Sequence, residues 1–233
     1  MKSMSVLTRV ATTGALILSA LATELLAGQP PTPKPYRQED VSYDNAKGGV
    51  HLAGTLTIPE GNGPFPAVLL ITGAGPQDRD ESIGPLKPFA VTADALACAG
   101  VASLRVDDRG TGQSTGDWLR VNYEGDSDDV RCGLAYLKGR PEIDGRRIGL
   151  LGHSEGGIIA AKVAAQSPDV AFIVLLAAGS NPDGVIRIVP GMNHIFQKCE
   201  TGDPSEFFQI QGCMDGEVLK IISDWILQRR PKA

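Results

Sequence analysis

The sequence predicts an α/β fold in which a mainly parallel sheet, flanked by helices, follows an N-terminal antiparallel hairpin. Two observations support this prediction. Apolar and polar residues alternate over 50–58, which is the period of a half-buried strand, and a turn at 46–49 would join it to a partner near 41–43. After this hairpin, short apolar runs alternate with segments of helical periodicity, and that alternation is typical of parallel sheets.

Each element after the hairpin is predicted from its own pattern. Short continuous apolar runs bounded by turn residues predict strands buried on both faces. They lie at 67–71, 101–106, 147–151, 171–176 and 185–189. Helical patterns lie at 92–99, 130–137, 158–165 and 218–225, the second of them behind the candidate caps Asp126 and Ser127.

The length, composition and charge of the chain indicate a globular protein and argue against several other classes. The chain has 233 residues and is 42% hydrophobic, which is enough for one sizeable core and argues against disorder. With 22 Lys and Arg against 27 Asp and Glu, the chain lacks the basic excess that neutralises phosphates, so no nucleic-acid partner is expected. No cysteine or histidine spacing in the sequence matches a metal site, and neither a metal nor a cofactor is expected.

The first 27 residues are predicted to be a secretory signal peptide. Lys2 and Arg9 precede an apolar run over 10–21, and small residues suited to cleavage lie at Ala22 and Ala27. A membrane anchor is the alternative, but the run is shorter than the ~20 residues that a span needs. The prolines of 28–39 predict an extended linker before a single domain over 40–233. We therefore expect a periplasmic or secreted protein with no stable membrane span after signal cleavage.

Export affects the interpretation of the cysteines. Cys199 and Cys213 flank a polar loop near the C-terminus, and in an oxidising compartment they could form a disulfide. The alternative is two free thiols. Cys98 and Cys132 fall inside predicted helices, where free thiols behave as small apolar residues.

The strongest chemical signal is the Gly-x-Ser-x-Gly motif at 152–156, which we call the elbow. It lies between a predicted strand and a predicted helix, the context in which a sharp turn lifts a serine hydroxyl above the sheet. The helix that starts behind Ser154 presents free N–H groups to developing negative charge. The motif therefore predicts Ser154 as a nucleophile, and the alternative is a glycine-rich turn with a chance serine.

A serine nucleophile needs a base, and the chain has three histidines. The alternation of the second strand places His51 on a polar face, and His153 is the direct neighbour of Ser154, from which its side chain should diverge. His194 follows the last apolar run, in a loop expected at the edge of the sheet where such folds place working residues. Elimination therefore selects His194, and the alternative is a solvent-facing loop histidine.

Two loops are candidates for binding a substrate. The segment 72–80, which we call the oxyanion loop, follows a buried strand and contains Gly73 and Gly75, which allow close approach of the backbone. The N–H groups of Ala74 and Glu155 are the predicted oxyanion hole. The charged segment 107–114 follows the next strand, and its side chains are expected to form a structural network in preference to contacting substrate.

Taken together, the segments 72–80, 107–114, 152–157 and 190–194 resemble secreted bacterial α/β-hydrolases. These are serine esterases related to the dienelactone-hydrolase and prolyl-oligopeptidase-like branches. The resemblance implies the α/β-hydrolase fold and hydrolysis of a small-molecule carboxylic ester without a cofactor. It also implies acylation of Ser154, with His194 taking its proton, followed by deacylation by water.

The chain departs from this family near its C-terminal edge. The family places an acid on its own strand between the serine and the histidine, but only residues 177–184 separate the last two predicted strands. A parallel crossover needs about a dozen residues, so the acid-bearing segment between Gly179 and Val185 is expected to be missing and the sheet shortened. Asp183 is the remaining candidate acid, and the alternative is a solvated turn residue.

The sequence therefore leaves three hypotheses for the function of the protein. The first is a working serine esterase, and the second is a catalytically impaired hydrolase-like protein that arose by internal deletion. The third is a peptidase of the prolyl-oligopeptidase-like kind.

Overall fold

The computed structural model describes residues 34–179 and 184–231, and its sheet is the scaffold on which the candidate site is built. The strands are β1 (Tyr36–Asn45), β2 (Val50–Pro59), β3 (Phe65–Ile71), β4 (Ala102–Val106), β5 (Ile143–His153) and β6 (Phe172–Leu176). The helices are α1 (Pro88–Cys98), α2 (Tyr123–Lys138), α3 (Glu155–Gln166) and α4 (Gly216–Leu227), with short 3-10 turns at Trp118–Arg120 and Pro204–Glu206.

The six strands form one sheet in the order β1-β2-β4-β3-β5-β6. The β1–β2 hairpin and the β2–β4 pair are antiparallel, whereas β4, β3, β5 and β6 run parallel. The predicted architecture, a mainly parallel sheet after an antiparallel hairpin, is confirmed. Because β3, β4, β5 and β6 are parallel, the loops that leave their carboxyl ends lie at the same edge of the sheet.

Helices cover both faces of the sheet, which explains why its central strands are apolar throughout. On one face α2 and α3 pack against residues such as Leu69, Leu104 and Leu150. On the other face α1 and α4 pack against residues such as Leu70 and Leu151. Successive residues of β3 and β5 are therefore buried in opposite directions, as the predicted two-sided strands require.

The structure corrects the predicted start of the second helix. Asn122, in an extended conformation, accepts hydrogen bonds from the N–H groups of Glu124 and Gly125 and is the N-cap of α2. Asp126 and Ser127, the predicted caps, lie inside the helix, where the hydroxyl of Ser127 donates to the carbonyl of Tyr123. An asparagine at a helix boundary satisfies free backbone donors as well as aspartate or serine does.

The predicted last strand at 185–189 is wrong. These residues form neither helix nor strand, and Val185 and Ile188 are 71% and 87% exposed. The apolar pattern is that of a strand, but the short connection after Leu176 cannot carry the chain across the sheet into a parallel position beside β6. A strand pattern without a neighbour gains no ladder of hydrogen bonds.

The structure describes the end of the predicted linker but not the predicted signal peptide. Strand β1 begins at Tyr36, so the last residues of the predicted linker 28–39 belong to the sheet, while the predicted signal peptide lies outside the described residues.

Cys199 and Cys213 are free thiols, which corrects the predicted disulfide. Their sulfurs have separate surroundings, because Cys199 Sγ contacts the carbonyl of Gly191, whereas Cys213 bonds to backbone groups of Lys87 and Met214. Among the described residues, no helix has both the length and the apolar character of a membrane-crossing segment.

Candidate active site

The elbow has the strained backbone that its sequence predicts. Ser154 lies between β5 and α3 with φ 51° and ψ −116°, a conformation that side chains rarely adopt. Its N–H donates to the carbonyl of Leu176 at 2.8 Å, and its carbonyl accepts from Gly157 at 3.1 Å. These bonds from both neighbouring elements hold the turn, so the serine side chain is fixed at the carboxyl edge of the sheet.

Close packing explains the two glycines of the elbow. A Cβ on Gly152 would lie 2.3 Å from the carbonyl oxygen of Gly156, and a Cβ on Gly156 would lie 2.3 Å from the carbonyl oxygen of Ile71. Both neighbours are backbone atoms of the elbow or of β3, so neither contact can be relieved by a side-chain rotation. The motif is therefore a steric requirement of this strand–turn–helix arrangement.

The oxyanion loop lies directly beside Ser154. A Cβ built on Gly73 would be 3.5 Å from the Cβ of Ser154, so the loop backbone passes within contact distance of the serine. Within the described part of the chain, the N–H groups of Ala74 and Glu155 have no protein acceptor. This arrangement leaves the two predicted oxyanion donors available to an oxygen bound beside Ser154.

Hydrogen bonds to Asp108 hold the oxyanion loop in place. The hydroxyl of Thr72 donates to its carboxylate at 3.0 Å, and the N–H of Gln77 donates at 2.9 Å. Burial raises the pKa of Asp108 to about 7, although these two hydrogen bonds oppose the shift. The carboxyl group that anchors the loop therefore titrates close to neutral pH.

The segment 107–114 forms the structural network that was expected. Asp107 accepts hydrogen bonds from the backbone and the guanidinium of Arg79 and from the N–H of Gln113. Burial raises the pKa of Asp107, but these hydrogen bonds outweigh it and hold that pKa below its usual range. Arg109 pairs with Asp129 on α2. The charges of this segment are therefore engaged within the protein.

A buried carboxylate, missed in the sequence, bonds to the elbow. Glu81 follows the oxyanion loop with φ 53° and is 3% exposed. Its Oε1 accepts the N–H of Gly73 at 2.6 Å and lies 2.9 Å from Nδ1 of His153. The acidic run that ends the loop is the one signal in the sequence, but nothing in that run distinguishes Glu81 from the half-buried Asp78 and Asp80.

The structure brings His194 to the elbow through His153. Nε2 of His153 donates to the carbonyl of His194 at 3.0 Å, and the centroids of the two rings are 4.9 Å apart. Burial, followed by the charge of His153, lowers the pKa of His194, while Glu81 opposes the shift. Among the described residues, no hydrogen bond joins His194 to Ser154 and no carboxylate bonds to the His194 ring. Asp183, the candidate acid, lies outside the described residues.

The turn at 192–198 that carries His194 is rigid. The Asn193 side chain accepts the N–H groups of Ile195 and Gln197, and the Asn193 N–H donates to the carbonyl of Gln197. Gln197 in turn donates to the carbonyls of Phe207 and Gly212. Asn193, Ile195 and Gln197 are all buried, so the turn is anchored on both sides of His194.

The other two histidines are less suited to act as the base. His153 is buried and each of its ring nitrogens faces an oxygen of another residue, so neither is available to the serine hydroxyl. His51 bonds to Asp44 on the hairpin at 2.8 Å, with about half of its side chain exposed. Of the three, His194 has a ring next to the elbow without a bonded partner among the described residues.

A cavity of about 90 Å³ is lined by Gly73 of the oxyanion loop and by Glu155, the residue after Ser154. Its lining also includes Tyr43, Trp118 and Asp126. Burial raises the pKa of Asp126 to about 6, with the charge of Asp129 as the next cause. The space is small compared with the ~300–1,000 Å³ of drug-sized sites, which suits a short substituent beside the reacting carbon.

One family model and two characterised relatives match a large part of this chain. The family model of the X-Pro dipeptidyl-peptidases (S15 family) matches residues 48–189. The esterase EstD of Thermotoga maritima is 31% identical over 158 residues, which are 68% of this chain and 33% of that protein. Acyl-coenzyme A thioesterase 1 of Rattus norvegicus is 29% identical over 73% of this chain and 35% of its own. The chain therefore spans about a third of the length of these two relatives.

Solved structures share the fold. The α/β hydrolase GrgF from Penicillium sp. sh18 superposes with a TM-score of 0.53 at 24% identity, covering 61% of this chain and 46% of that one. The Pyrococcus furiosus esterase Pf2001 superposes with a TM-score of 0.51 at 21% identity, covering 64% of this chain and 56% of that one. At these identities the likeness concerns the architecture of the sheet and helices.

Proposed function

The chain belongs to the X-Pro dipeptidyl-peptidase (S15) family and has the α/β-hydrolase fold, and on this basis we propose that it is a serine hydrolase of small carboxylic esters. One observation supports the proposal most directly. Ser154 is strained at the elbow and lies against Gly73, the neighbour of Ala74, and the N–H groups of Ala74 and Glu155 have no acceptor in the described part of the chain. A strained serine next to free donors is the arrangement that acyl transfer requires.

In the proposed reaction, the hydroxyl of Ser154 attacks the ester carbonyl while His194 takes its proton. The N–H groups of Ala74 and Glu155 hold the negative oxygen of the tetrahedral intermediate, and each such donor contributes roughly 10²–10³ to kcat in serine hydrolases. The protonated His194 then gives its proton to the leaving alcohol. Water, activated by His194, finally hydrolyses the acyl group from Ser154.

Two observations support an ester of small size as the substrate. The relatives are named as an esterase and a thioesterase, and both of these activities release an acyl group from oxygen or sulfur. The cavity lined by Gly73 and Glu155 has a volume of about 90 Å³, which favours a short acyl group or a small alcohol. We therefore expect p-nitrophenyl acetate and butyrate to be hydrolysed faster than the octanoate.

The experiment combines a covalent label with turnover. A fluorophosphonate probe should label the wild-type chain and Ser205→Ala, a variant of an exposed serine outside the site, but not Ser154→Ala. Hydrolysis of p-nitrophenyl acetate should follow the same pattern. Labelling of Ser154→Ala at the wild-type rate would remove Ser154 as the nucleophile.

A peptidase is the second candidate function, and the description of the matched family favours it. Gly-Pro-p-nitroanilide tests it with the same protein, because release of nitroaniline requires cleavage after proline. A chain that hydrolyses this substrate and not the aryl esters is a peptidase. A folded chain that hydrolyses neither the anilide nor the aryl esters, and that no fluorophosphonate labels, is the impaired hydrolase-like protein. The described residues contain no hydrogen bond between Ser154 and His194, which agrees with that outcome.

Export is proposed from the N-terminal sequence pattern alone. The charged start, the apolar run 10–21 and the small residues at Ala22 and Ala27 support a cleaved leader and a periplasmic or secreted protein. Sequencing the N-terminus of the protein recovered from the periplasm or the medium tests this. A mature chain that begins after Ala22 or Ala27 would agree with it, and an intact Met1 in a cytosolic fraction would not.

A further inference from the structure

Both ring nitrogens of His153 face oxygen atoms that accept hydrogen bonds. Nδ1 lies 2.9 Å from Oε1 of Glu81, and Nε2 lies 3.0 Å from the carbonyl oxygen of His194. A neutral imidazole carries a proton on one nitrogen, so it can donate to one of these oxygens and not to both. The imidazolium carries both protons and satisfies the two oxygens at once. The geometry therefore favours a protonated ring.

Because the His153 ring is buried, its positive charge needs the negative charge of Glu81 beside it. The side chains of His153 and Glu81 are 7% and 4% exposed, so neither charge is solvated by water to any large extent. Oε1 of Glu81 also accepts the N–H of Gly73, so this oxygen has two donors, whereas Oε2 is buried without a partner. An ionised Glu81 with two N–H donors offsets the burial of the imidazolium.

We propose that Glu81 and His153 form a buried carboxylate–imidazolium pair that positions His194 and the oxyanion loop on either side of Ser154. Both are positioning residues, since neither contacts the reacting atoms in the mechanism above. The proposal rests on the proposed function of Ser154 and His194. It assigns a role to two ionisable groups that the hydrolysis itself leaves unused.

Positioning follows from the three segments that meet at this pair. The oxyanion loop is held through the bond from the N–H of Gly73 to Glu81, one residue before Ala74. The turn at 192–198 is held through the carbonyl of His194. The elbow supplies His153 itself. Loss of the pair would therefore free the donor side and the base side of Ser154 together.

The pair also affects the protonation of His194. The centroid of the His153 ring is 4.9 Å from that of His194, and a cation at this distance disfavours a second positive charge. The charge of His153 lowers the pKa of His194 more than the charge of Glu81 raises it. Glu81 and His194 are the groups that face His153, while Asp108 and Cys213 feel the charge of Glu81 from its other sides. A base next to this pair stays neutral, and able to accept a proton, at lower pH.

Glu81→Gln tests the pair because the amide keeps the shape of the side chain and removes its charge. His153 should then lose its second proton at neutral pH and give up one of its two hydrogen bonds. We expect kcat for p-nitrophenyl acetate to fall by about 10²-fold with KM little changed, as for a misplaced catalytic group. We also expect the acidic limb of kcat/KM to move to higher pH. Glu81→Asp, which keeps the charge, should retain the wild-type position of that limb.

Nuclear magnetic resonance of the ring nitrogens gives a readout that does not depend on turnover. The chain has three histidines, so His51→Gln and His194→Gln are sufficient to assign the 15N signals. His153 should keep two protonated nitrogens to higher pH in the wild-type chain and in the inactive Ser154→Ala than in Glu81→Gln. A neutral His153 ring at pH 7 in the wild-type chain would overturn the proposal. An imidazolium in a chain that no fluorophosphonate labels would instead overturn the proposed function alone.

Discussion

The carbonyl of His194 is bonded to the ring of His153, the residue that directly precedes Ser154. One covalent link and one hydrogen bond therefore connect the candidate nucleophile to the backbone of the candidate base. Because 185–189 form no strand, this bond is one of the contacts that hold the turn at 192–198 against the elbow. The ring of His194 is left without a bonded partner among the described residues, as a base that must accept a proton requires.

His194→Ala is expected to reduce kcat/KM for p-nitrophenyl acetate by at least about 10²-fold, because no other histidine has a ring free beside Ser154. His51→Ala is the matched control. His51 is exposed and bonds to Asp44 on the hairpin, so its loss should leave turnover within about twofold of wild type.

Steady-state rates of the two variants test whether His194 is the base, and circular dichroism checks that both variants are folded. If His51→Ala were the more damaging substitution, the assignment of the base to His194 would be wrong. The pH profile adds a second criterion, because the lowered pKa of His194 predicts an acidic limb below the ordinary histidine value of about 6.5.

Gly156→Ala should destabilise the protein strongly. The new Cβ would lie 2.3 Å from the carbonyl oxygen of Ile71, a backbone atom of β3, and relieving this contact requires α3 to move. We expect the free energy of unfolding in urea to fall by about 3 kcal/mol, the upper part of the range for overpacked sites. Turnover should fall as well, because the elbow moves with the helix.

Gly216→Ala is the control for this substitution. Gly216 begins α4, and a Cβ there would meet nothing within 4 Å. Alanine at a helix position without a clash is expected to leave the free energy of unfolding unchanged or to raise it by up to about 1 kcal/mol. Equal losses in the two variants would show that the predicted contact with β3 is not what restricts Gly156.

A feature of this architecture can be predicted from the sequence when the residues that determine it are close together in the chain. The elbow was predictable because its requirements are local: a strand, a strained residue at Ser154 and glycines where backbones touch. Strands β3 to β6 were predictable for the same reason, since each contains an apolar run that is recognised by itself, whereas β1 was expected only as the partner of β2 across the turn at 46–49. The N-cap of α2 was missed by a few residues because Asn122, Asp126 and Ser127 are all acceptable caps.

Two features could not be derived in this way. The bond between Glu81 and His153 joins residues 72 positions apart, and no local pattern shows which loops meet at the edge of a sheet. The run 185–189 has the composition of a strand, but it pairs with no described strand, and the connection after Leu176 is too short for a parallel crossover to the edge strand β6. In both cases the deciding contact lies outside the segment that carries the pattern.

Asp108 makes stability depend on pH, and the sign follows from its raised pKa. The folded chain holds a proton on Asp108 up to about pH 7, whereas the unfolded chain releases it near the ordinary aspartate pKa of 3.8. Between these values the unfolded state binds fewer protons, so this group lowers stability as the pH rises. Asp108→Asn, which removes the titration and keeps one oxygen that can accept from both Thr72 and Gln77, should gain stability relative to wild type from pH 4 to pH 8.

The measurement is the difference in the free energy of unfolding between the two proteins, taken from urea denaturation at several pH values. A gain of a few kcal/mol at pH 8 over pH 4, of the order expected from a shift of roughly three pKa units, would agree with the burial of this carboxyl group. A difference that stays constant across this range would show that Asp108 titrates alike in the folded and unfolded chains.

The acid of the triad is the subject of the last prediction. An acid that bonds to the base holds its ring in the correct tautomer, and loss of such an acid lowers kcat by about 10⁴-fold in trypsin-like enzymes. Asp183 is the candidate by its position in the sequence, in the segment that follows Leu176. The pair of Glu81 and His153 already fixes the backbone of His194 and affects its protonation. We therefore expect Asp183→Ala to change kcat less than tenfold and Glu81→Gln to change it more. The reverse order, with a loss of a thousandfold or more in Asp183→Ala and an intact fold by circular dichroism, would show that Asp183 completes a triad with Ser154 and His194.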